Sequence, residues 1–88
     1  MEFDWDMANV EHIAKHGISP EECEQAYLNG PLVIEQQVRK DENRRLCLGE
    51  TSGGRLLTFV ITERAGKIRF VTAYPMPHRQ REIYREGE

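Results

Sequence analysis

The sequence predicts an α+β fold with two N-terminal helices, a four-stranded antiparallel meander sheet and a C-terminal helix. Two patterns predict it. Apolar residues recur at helical spacing in the first third of the chain, and runs of β-branched and aromatic residues joined by short, glycine-containing turns follow. Strands joined by short turns pair antiparallel. The 88 residues suffice for a single domain, which we assign to residues 1-88.

The first helix is expected to follow a short edge strand, Phe3-Asp4-Trp5. Asp6 has a side chain suited to capping the helix, and Gly17 is typical of the residue that follows a helix C-terminus. Helical spacing then predicts the side chains on the buried side of the helix, which are Met7, Val10, Ile13 and Ala14.

The second helix has a stronger start signal. Ser19 is expected to cap it, Pro20 to occupy its first position and Glu22 to complete a capping box. The turn-forming residues 29–31 end it. Its buried stripe is predicted to consist of Cys23, Ala26 and Tyr27.

Four strands are predicted after the helices: the first begins with residues 32–34, and the others lie at residues 44–49, 56–62 and 68–74. We expect residues 39–43 to form a polar loop, and residues 52–54 and 64–67 to form turns. Pro75 and Pro77 end the last strand, and Pro77 is expected to open the closing helix through Ile83 and Tyr84. Helices that cover one face of such a sheet leave the other face, or the edge beside the last helix, open for a site.

Composition limits the class of protein. A hydrophobic fraction of 39% and a charged fraction of 31% fit a globular chain. Neither a signal peptide nor a run apolar enough to span a bilayer is recognisable, so we expect a cytoplasmic protein that does not enter the membrane. In that compartment Cys23 and Cys47 are expected to be packed free thiols.

Charge is distributed unevenly along the chain. Residues 1–36 hold eight carboxylates and one lysine, and residues 37–88 hold eleven basic residues and seven acids, which gives −7 and +4 and a net charge of −3. The asymmetry indicates either an anionic partner for the second half or solvated strand edges and turns.

Several segments spread over nearly the whole chain carry a family resemblance. They are Phe3-Asp4-Trp5-Asp6, Lys15-His16-Gly17-Ile18-Ser19 with Glu21-Glu22, Arg45 with Gly49, Thr62-Glu63-Arg64, Arg69 and Tyr84. As an ordered set they resemble the BrnT family of bacterial toxins. The resemblance implies a fold similar to the RelE-type microbial ribonucleases, RNA cleavage without a metal or other cofactor, and neutralisation by a cognate BrnA-like antitoxin.

The chain departs from the family pattern at the end of the last strand. The family commonly reads Ser-Ala-Arg-Arg where this chain has Thr72-Ala73-Tyr74-Pro75, and Gln80 occupies a position that is usually acidic. Thr-Ala-Tyr-Pro resembles a segment of other small toxin ribonucleases of related architecture. The departure therefore indicates either a variant site or a loss of catalysis.

Histidine and lysine near the end of the first helix are candidates for the chemistry. His16 suits a general base or acid, and Lys15 suits a phosphate contact; both could instead interact with the last helix carbonyls. His12 lies four residues before His16, the spacing of two metal ligands, but no third ligand of matching spacing follows. We therefore predict no metal site, and expect His12 to be a surface residue.

The remaining candidates lie in the strands and the last helix. Arg64 and Arg69, across a turn, and Arg45 could grip phosphate or supply only surface charge. By strand alternation Thr72 and Tyr74 are expected on the same face as Ile68 and Phe70, with the Tyr74 hydroxyl on a phosphate or its ring against a base. His78 is a further phosphate or proton-transfer candidate.

Three functions follow from these candidates. The first is a toxin endoribonuclease with His16, Arg64 and Tyr74 as catalytic residues and Lys15, Arg45, Arg69, Thr72 and His78 as RNA contacts. The second is a catalytically inactive protein of the same fold that acts through a partner in transcriptional autoregulation. The third, a metal enzyme, lacks ligands. The expected partners are an antitoxin and RNA; a DNA operator reached through the antitoxin complex and a homodimer stay open.

Overall fold

The computed structural model describes residues 1–87 and confirms the predicted α+β architecture. A single sheet has the strand order β1-β2-β3-β4, and each neighbouring pair is antiparallel. Two helices precede the sheet and one follows it. The elements are α1 (Met7–Ala14), α2 (Pro20–Leu28), β1 (Leu32–Arg39), β2 (Glu42–Glu50), β3 (Leu56–Arg64), β4 (Lys67–Pro75) and α3 (His78–Gly87).

Local signals start both N-terminal helices as predicted. The Asn9 N–H donates to Asp6 Oδ1 at 2.8 Å, which caps α1. At α2 the Glu22 N–H donates to Ser19 Oγ at 3.3 Å and the Ser19 N–H donates to Glu22 Oε1 at 3.1 Å, so the capping box is complete. Gly17 follows α1 at φ 73°, a left-handed conformation that favours glycine.

The core lies between α1, α2 and one face of the sheet. Ile13 and Ile18 join the α2 residues Cys23 and Ala26, and together they pack on the sheet residues Cys47, Leu57, Phe59, Ile61, Ile68, Phe70 and Ala73. The predicted apolar side of α1 is wrong at Met7, which is 72% exposed, and at Ala14, which is exposed. Helix α1 contacts the sheet chiefly along the edge strand β4, so only a narrow stripe around Ile13 is buried.

The predicted polar loop at residues 39–43 is wrong, because most of it belongs to strands. Arg39 pairs with Glu42, and the turn contains only Lys40 and Asp41, at φ 43° and 67°. Two left-handed central residues match the right-handed twist of the flanking strands. The hairpin projects into solvent, so its residues carry no apolar alternation that would have marked them as strand.

The N-terminal segment lies along the free edge of β4. Phe3 forms one parallel bridge with Ile68, flanked by hydrogen bonds from the Asp4 N–H to the Ile68 carbonyl at 2.8 Å and from the Ile68 N–H to the Glu2 carbonyl at 3.0 Å. The expected edge strand at residues 3–5 is thus a single bridge. The Trp5 ring stacks on Phe70 with centroids 5.2 Å apart.

Helix α3 covers part of the second face of the sheet, which the sequence predicted to be open. Leu48 and Thr58 face each other there and are fully buried, and the Thr58 hydroxyl donates to Gln80 Oε1 of α3. The other end of this face carries the partly exposed Arg44 and Arg64. None of the helices that the described residues form has both the length and the apolar character needed to cross a bilayer.

Candidate active site along α1 and β4

A β-bulge in β4 decides which of its side chains face the site. Val60 pairs with Thr72 but its neighbour Ile61 pairs with Phe70, so Val71 is an extra residue on β4. Beyond the bulge the alternation is inverted, and Thr72 and Tyr74 lie on the face opposite Phe70. The prediction that Thr72 and Tyr74 share a face with Ile68 and Phe70 is therefore wrong.

The same bulge aligns Thr72 and Tyr74 with Arg69 on the second face. Thr62, which pairs with Arg69, and Thr58, which pairs with Tyr74, both lie opposite the core residues Phe59 and Ile61 along β3. Arg69, Thr72 and Tyr74 therefore form one row along the edge strand. Without the bulge, strict alternation would place Arg69 on one face and Thr72 and Tyr74 on the other, so the polar row depends on the bulge.

Helix α1 is fastened beside this row. The Asn9 Nδ2–H donates to the Phe70 carbonyl at 3.2 Å, and Ile13 anchors the helix in the core. His12 Nε2 lies 2.9 Å from Thr72 Oγ1, a hydrogen bond whose direction depends on the imidazole tautomer. Its ring meets that of His16 edge-on, with centroids 5.7 Å apart.

His16 reaches the end of the same row. Its ring lies 6.3 Å from the Tyr74 ring, between centroids, at an interplanar angle of 62°. A chain of contacts thus joins four residues along the seam between α1 and β4. We call His12, His16, Thr72 and Tyr74 the seam cluster. Lys15, next to His16, is the exposed C-cap residue of α1.

Arg69 is adjacent to the seam cluster but is held by carboxylates. Its Nη2–H donates to Asp6 Oδ2 at 2.9 Å, and Nη1 lies 3.7 Å from Asp4 Oδ2. Its side chain is only 17% exposed. The Asn9 backbone N–H and then the Arg69 guanidinium lower the pKa of Asp6 below its usual value.

Arg64 lies further along the same face, at the end of β3. Its side chain is 58% exposed, and Nη2 lies 4.0 Å from Glu42 Oε2. Glu42 is engaged more closely by Arg44, whose hydrogen bond is the main cause that lowers the pKa of Glu42. Arg64 is thus the more exposed of the two arginines predicted to grip phosphate on this face.

Two predicted site residues lie elsewhere. Arg45 pairs with Ile61, which places it on the face that α1 and α2 cover, beside Gln36 and Glu63 in a separate cleft. His78 is on α3, 84% exposed, with Nε2 3.4 Å from Glu82 Oε1. Neither belongs to the seam cluster.

The cysteines and metal-ligating side chains add no further chemistry to the seam. Cys23 and Cys47 are buried free thiols, and burial raises the pKa of Cys23 to about 12 and that of Cys47 to about 11. Such thiols stay protonated at neutral pH. Within residues 1–87 no group of three or more His, Cys, Asp or Glu side chains could hold a metal ion.

Sequence reasoning missed the place of His12 in this cluster. The available signal was its spacing of four residues from His16, which puts both rings on one side of a helix. The same spacing is also typical of two metal ligands, so by itself it does not indicate the contact with Thr72. The contact with Thr72 joins residues 60 positions apart, and no local pattern announces it.

The geometry defines a small single-sheet α+β domain whose edge strand and first helix gather imidazole, hydroxyl and guanidinium groups, a set suited to a phosphodiester. The chain belongs to the BrnT family, since the family model described as the ribonuclease toxin, BrnT, of type II toxin-antitoxin system matches residues 5–80. Membership makes it a ribonuclease toxin of a type II system, with an antitoxin as partner. A search of curated proteins gave no match.

Proposed function

We propose that this toxin cleaves RNA in the cytoplasm without a metal ion, by attack of a ribose 2′-hydroxyl on the adjacent phosphate. The observation that carries the proposal is the contact between His16 and Tyr74, whose ring centroids lie 6.3 Å apart at the end of the polar row. This contact brings a proton-transfer group against the ring of a tyrosine, on a surface that continues to two arginines.

The reaction assigns a task to each group. The 2′-oxygen forms a bond to phosphorus while the bond from phosphorus to the 5′-oxygen breaks, so one proton must leave the nucleophile and one must reach the leaving oxygen. His16 serves one of these transfers. The Tyr74 hydroxyl contacts a phosphate oxygen, or its ring stacks on a flanking base.

Positive charge for the phosphorane comes from Lys15, which is exposed next to His16, and from Arg69, which keeps guanidinium donors beyond the one used by Asp6. Arg64 pairs with Lys67, whereas Tyr74 pairs with Thr58 six residues along β3, so we assign Arg64 to RNA further along the polar face. Arg45 and His78 lie on other surfaces, and there they would contact RNA away from the scissile group. The contacts within the seam cluster, which do not include Arg45 or His78, support this division between residues that take part in the reaction and residues that only bind RNA.

The test is cleavage of a labelled RNA pool by purified full-length protein in EDTA. We expect products that end in a 2′,3′-cyclic phosphate and a 5′-hydroxyl. His16→Ala should lower the rate about 10²- to 10⁴-fold, as loss of a general acid or base does. Glu11→Gln, an exposed change on the same helix, is the control and should leave the rate unchanged.

Two results would reject the proposal. One is a wild-type protein that cuts no RNA, and the other is a His16→Ala variant that cuts as fast as the wild type. If the protein cuts no RNA but binds operator DNA together with its antitoxin, the function is the alternative one, transcriptional autoregulation by an inactive toxin fold.

A further inference from the structure

His12 contacts both Thr72 of the polar row and His16, the residue to which the proposed function assigns a proton transfer. Its Nε2 atom lies 2.9 Å from the Thr72 hydroxyl, and its ring centroid lies 5.7 Å from that of His16 at an interplanar angle of 81°. Two imidazoles therefore stand side by side at one end of the polar row. His12 is exposed, and the hydroxyl group of Thr72 on β4 holds its ring in place.

We propose that His12 is the second proton-transfer group of the reaction and that His12 and His16 act as the base and acid pair. This inference rests on the proposed function. One neutral imidazole takes the proton from the 2′-hydroxyl as the new oxygen–phosphorus bond forms. The other, protonated, gives its proton to the 5′-oxygen as that bond to phosphorus breaks, so the protons balance and no co-reactant is needed.

Thr72 fits a supporting role for this pair. A hydroxyl both donates and accepts hydrogen bonds, so it can hold the His12 ring whether the imidazole is neutral or protonated. A carboxylate in its place would favour the protonated form alone. Thr72 is thus a positioning residue for the His12 ring.

A purely structural role for His12 would duplicate contacts that the helix already has. Ile13 is fully buried, and Asn9 donates to the Phe70 carbonyl at 3.2 Å, so α1 is fixed to β4 on both sides of His12. His12 itself remains exposed. The hydrogen bond to Thr72 therefore orients the imidazole more than it holds the helix.

The test separates proton transfer from positioning by comparing His12→Gln with His12→Ala. The glutamine amide can still donate a hydrogen bond to Thr72 but cannot carry a proton in this pH range. We expect both variants to lose about 10²- to 10⁴-fold in cleavage rate. The double variant His12→Gln/His16→Gln should be little slower than either single one, because groups that act as a unit are strongly non-additive. Glu11→Gln, next to His12 on α1, should cut like the wild type.

A second substrate assigns the two roles. In RNA whose 5′-leaving oxygen at one linkage is replaced by sulfur, the thiolate leaves without a proton, so no general acid is needed. One of His12→Gln and His16→Gln should cut this linkage at close to the wild-type rate, and the other should stay slow. Such rescue can occur only in a folded variant, so it also excludes misfolding as the cause of lost activity.

Three outcomes would overturn the inference. If His12→Gln cuts ordinary RNA at the wild-type rate while His16→Gln does not, His12 only positions the helix and the proposed function still stands. If sulfur substitution rescues neither variant, the two histidines are not an acid and base pair. If the wild type cuts no RNA, the proposed function fails and this inference fails with it.

Discussion

Replacing Phe70 by alanine should remove a large part of the stability of the domain. The side chain is 1% exposed, and its ring centroid lies 5.2 Å from that of Trp5, 5.4 Å from that of Phe59 and 6.0 Å from that of Phe3. Truncation of a buried phenylalanine costs about 3–5 kcal/mol in total, and the three aromatic contacts of Phe70 favour the upper part of that range. We therefore expect a loss of about 4–5 kcal/mol.

That loss is large relative to the total free energy of unfolding of the domain. At about 0.05–0.15 kcal/mol per residue, an 88-residue domain is stable by only about 4–13 kcal/mol. The melting temperature should fall by about 4–8 °C for each kcal/mol lost. Phe70→Ala should thus be largely unfolded at 37 °C if the wild type lies at the lower end of this range.

Urea denaturation measures the effect directly. Trp5 is the single tryptophan and stacks on Phe70, so its fluorescence reports the transition, with far-UV circular dichroism as the second probe. Val38→Ala is the control, because Val38 is 76% exposed and its truncation should change the stability by less than about 0.5 kcal/mol. A loss below about 1.5 kcal/mol for Phe70→Ala would falsify the assignment of this ring to the centre of the core.

Three further predictions concern charge, thiols and packing. Asp6→Asn keeps an oxygen to cap α1 but removes a carboxyl group whose pKa is lowered in the folded state. In the wild type this group stabilises the fold above its usual pKa of 3.8, and the stabilisation is lost as the pH falls through the lowered pKa. Urea midpoints measured from pH 6 to pH 2 should therefore depend less on pH in the variant than in the wild type, and an unchanged pH dependence would contradict this. Cys23 and Cys47 should resist iodoacetamide at pH 8 in the native protein and react in 8 M urea, as mass spectrometry would show, because burial raises their pKa values to about 12 and about 11; rapid native labelling would disprove their burial. Gly49→Ala should cost about 1–3 kcal/mol in urea denaturation, since an added Cβ would lie 3.0 Å from the Ala26 carbonyl oxygen, and a neutral result would mean that α2 moves freely off the sheet.

The parts of the fold that local chemistry determines could be predicted from the sequence. The Asp6 cap and the Ser19–Glu22 capping box depend on side chains within three residues of each other, and both occur as expected. The meander likewise follows from apolar runs separated by short turns. These features need no knowledge of distant partners.

The features that escaped prediction depend on pairing between distant segments. The hairpin turn at Lys40 and Asp41 contains no glycine, and residues 35–39 of β1 that lead into it are all exposed, so neither turn chemistry nor alternation reveals it. The bulge at Val71 exists only relative to β3. Because of it, strand alternation alone assigns Thr72 and Tyr74 to the wrong face.

The extra residue at Val71 also changes how variation in this strand should be interpreted. Before it, the odd-numbered Arg69 faces the polar row and the even-numbered Ile68 and Phe70 face the core, whereas after it these parities are exchanged, with Ala73 inside. In a saturation scan of β4, damage to folding should therefore follow even positions up to 70 and odd positions from 73 onward. A relative that lacks this one residue could keep the same cross-strand pairs on both sides of position 71 with a straighter strand. The presence or absence of a residue at position 71 is therefore more informative than which amino acid occupies it.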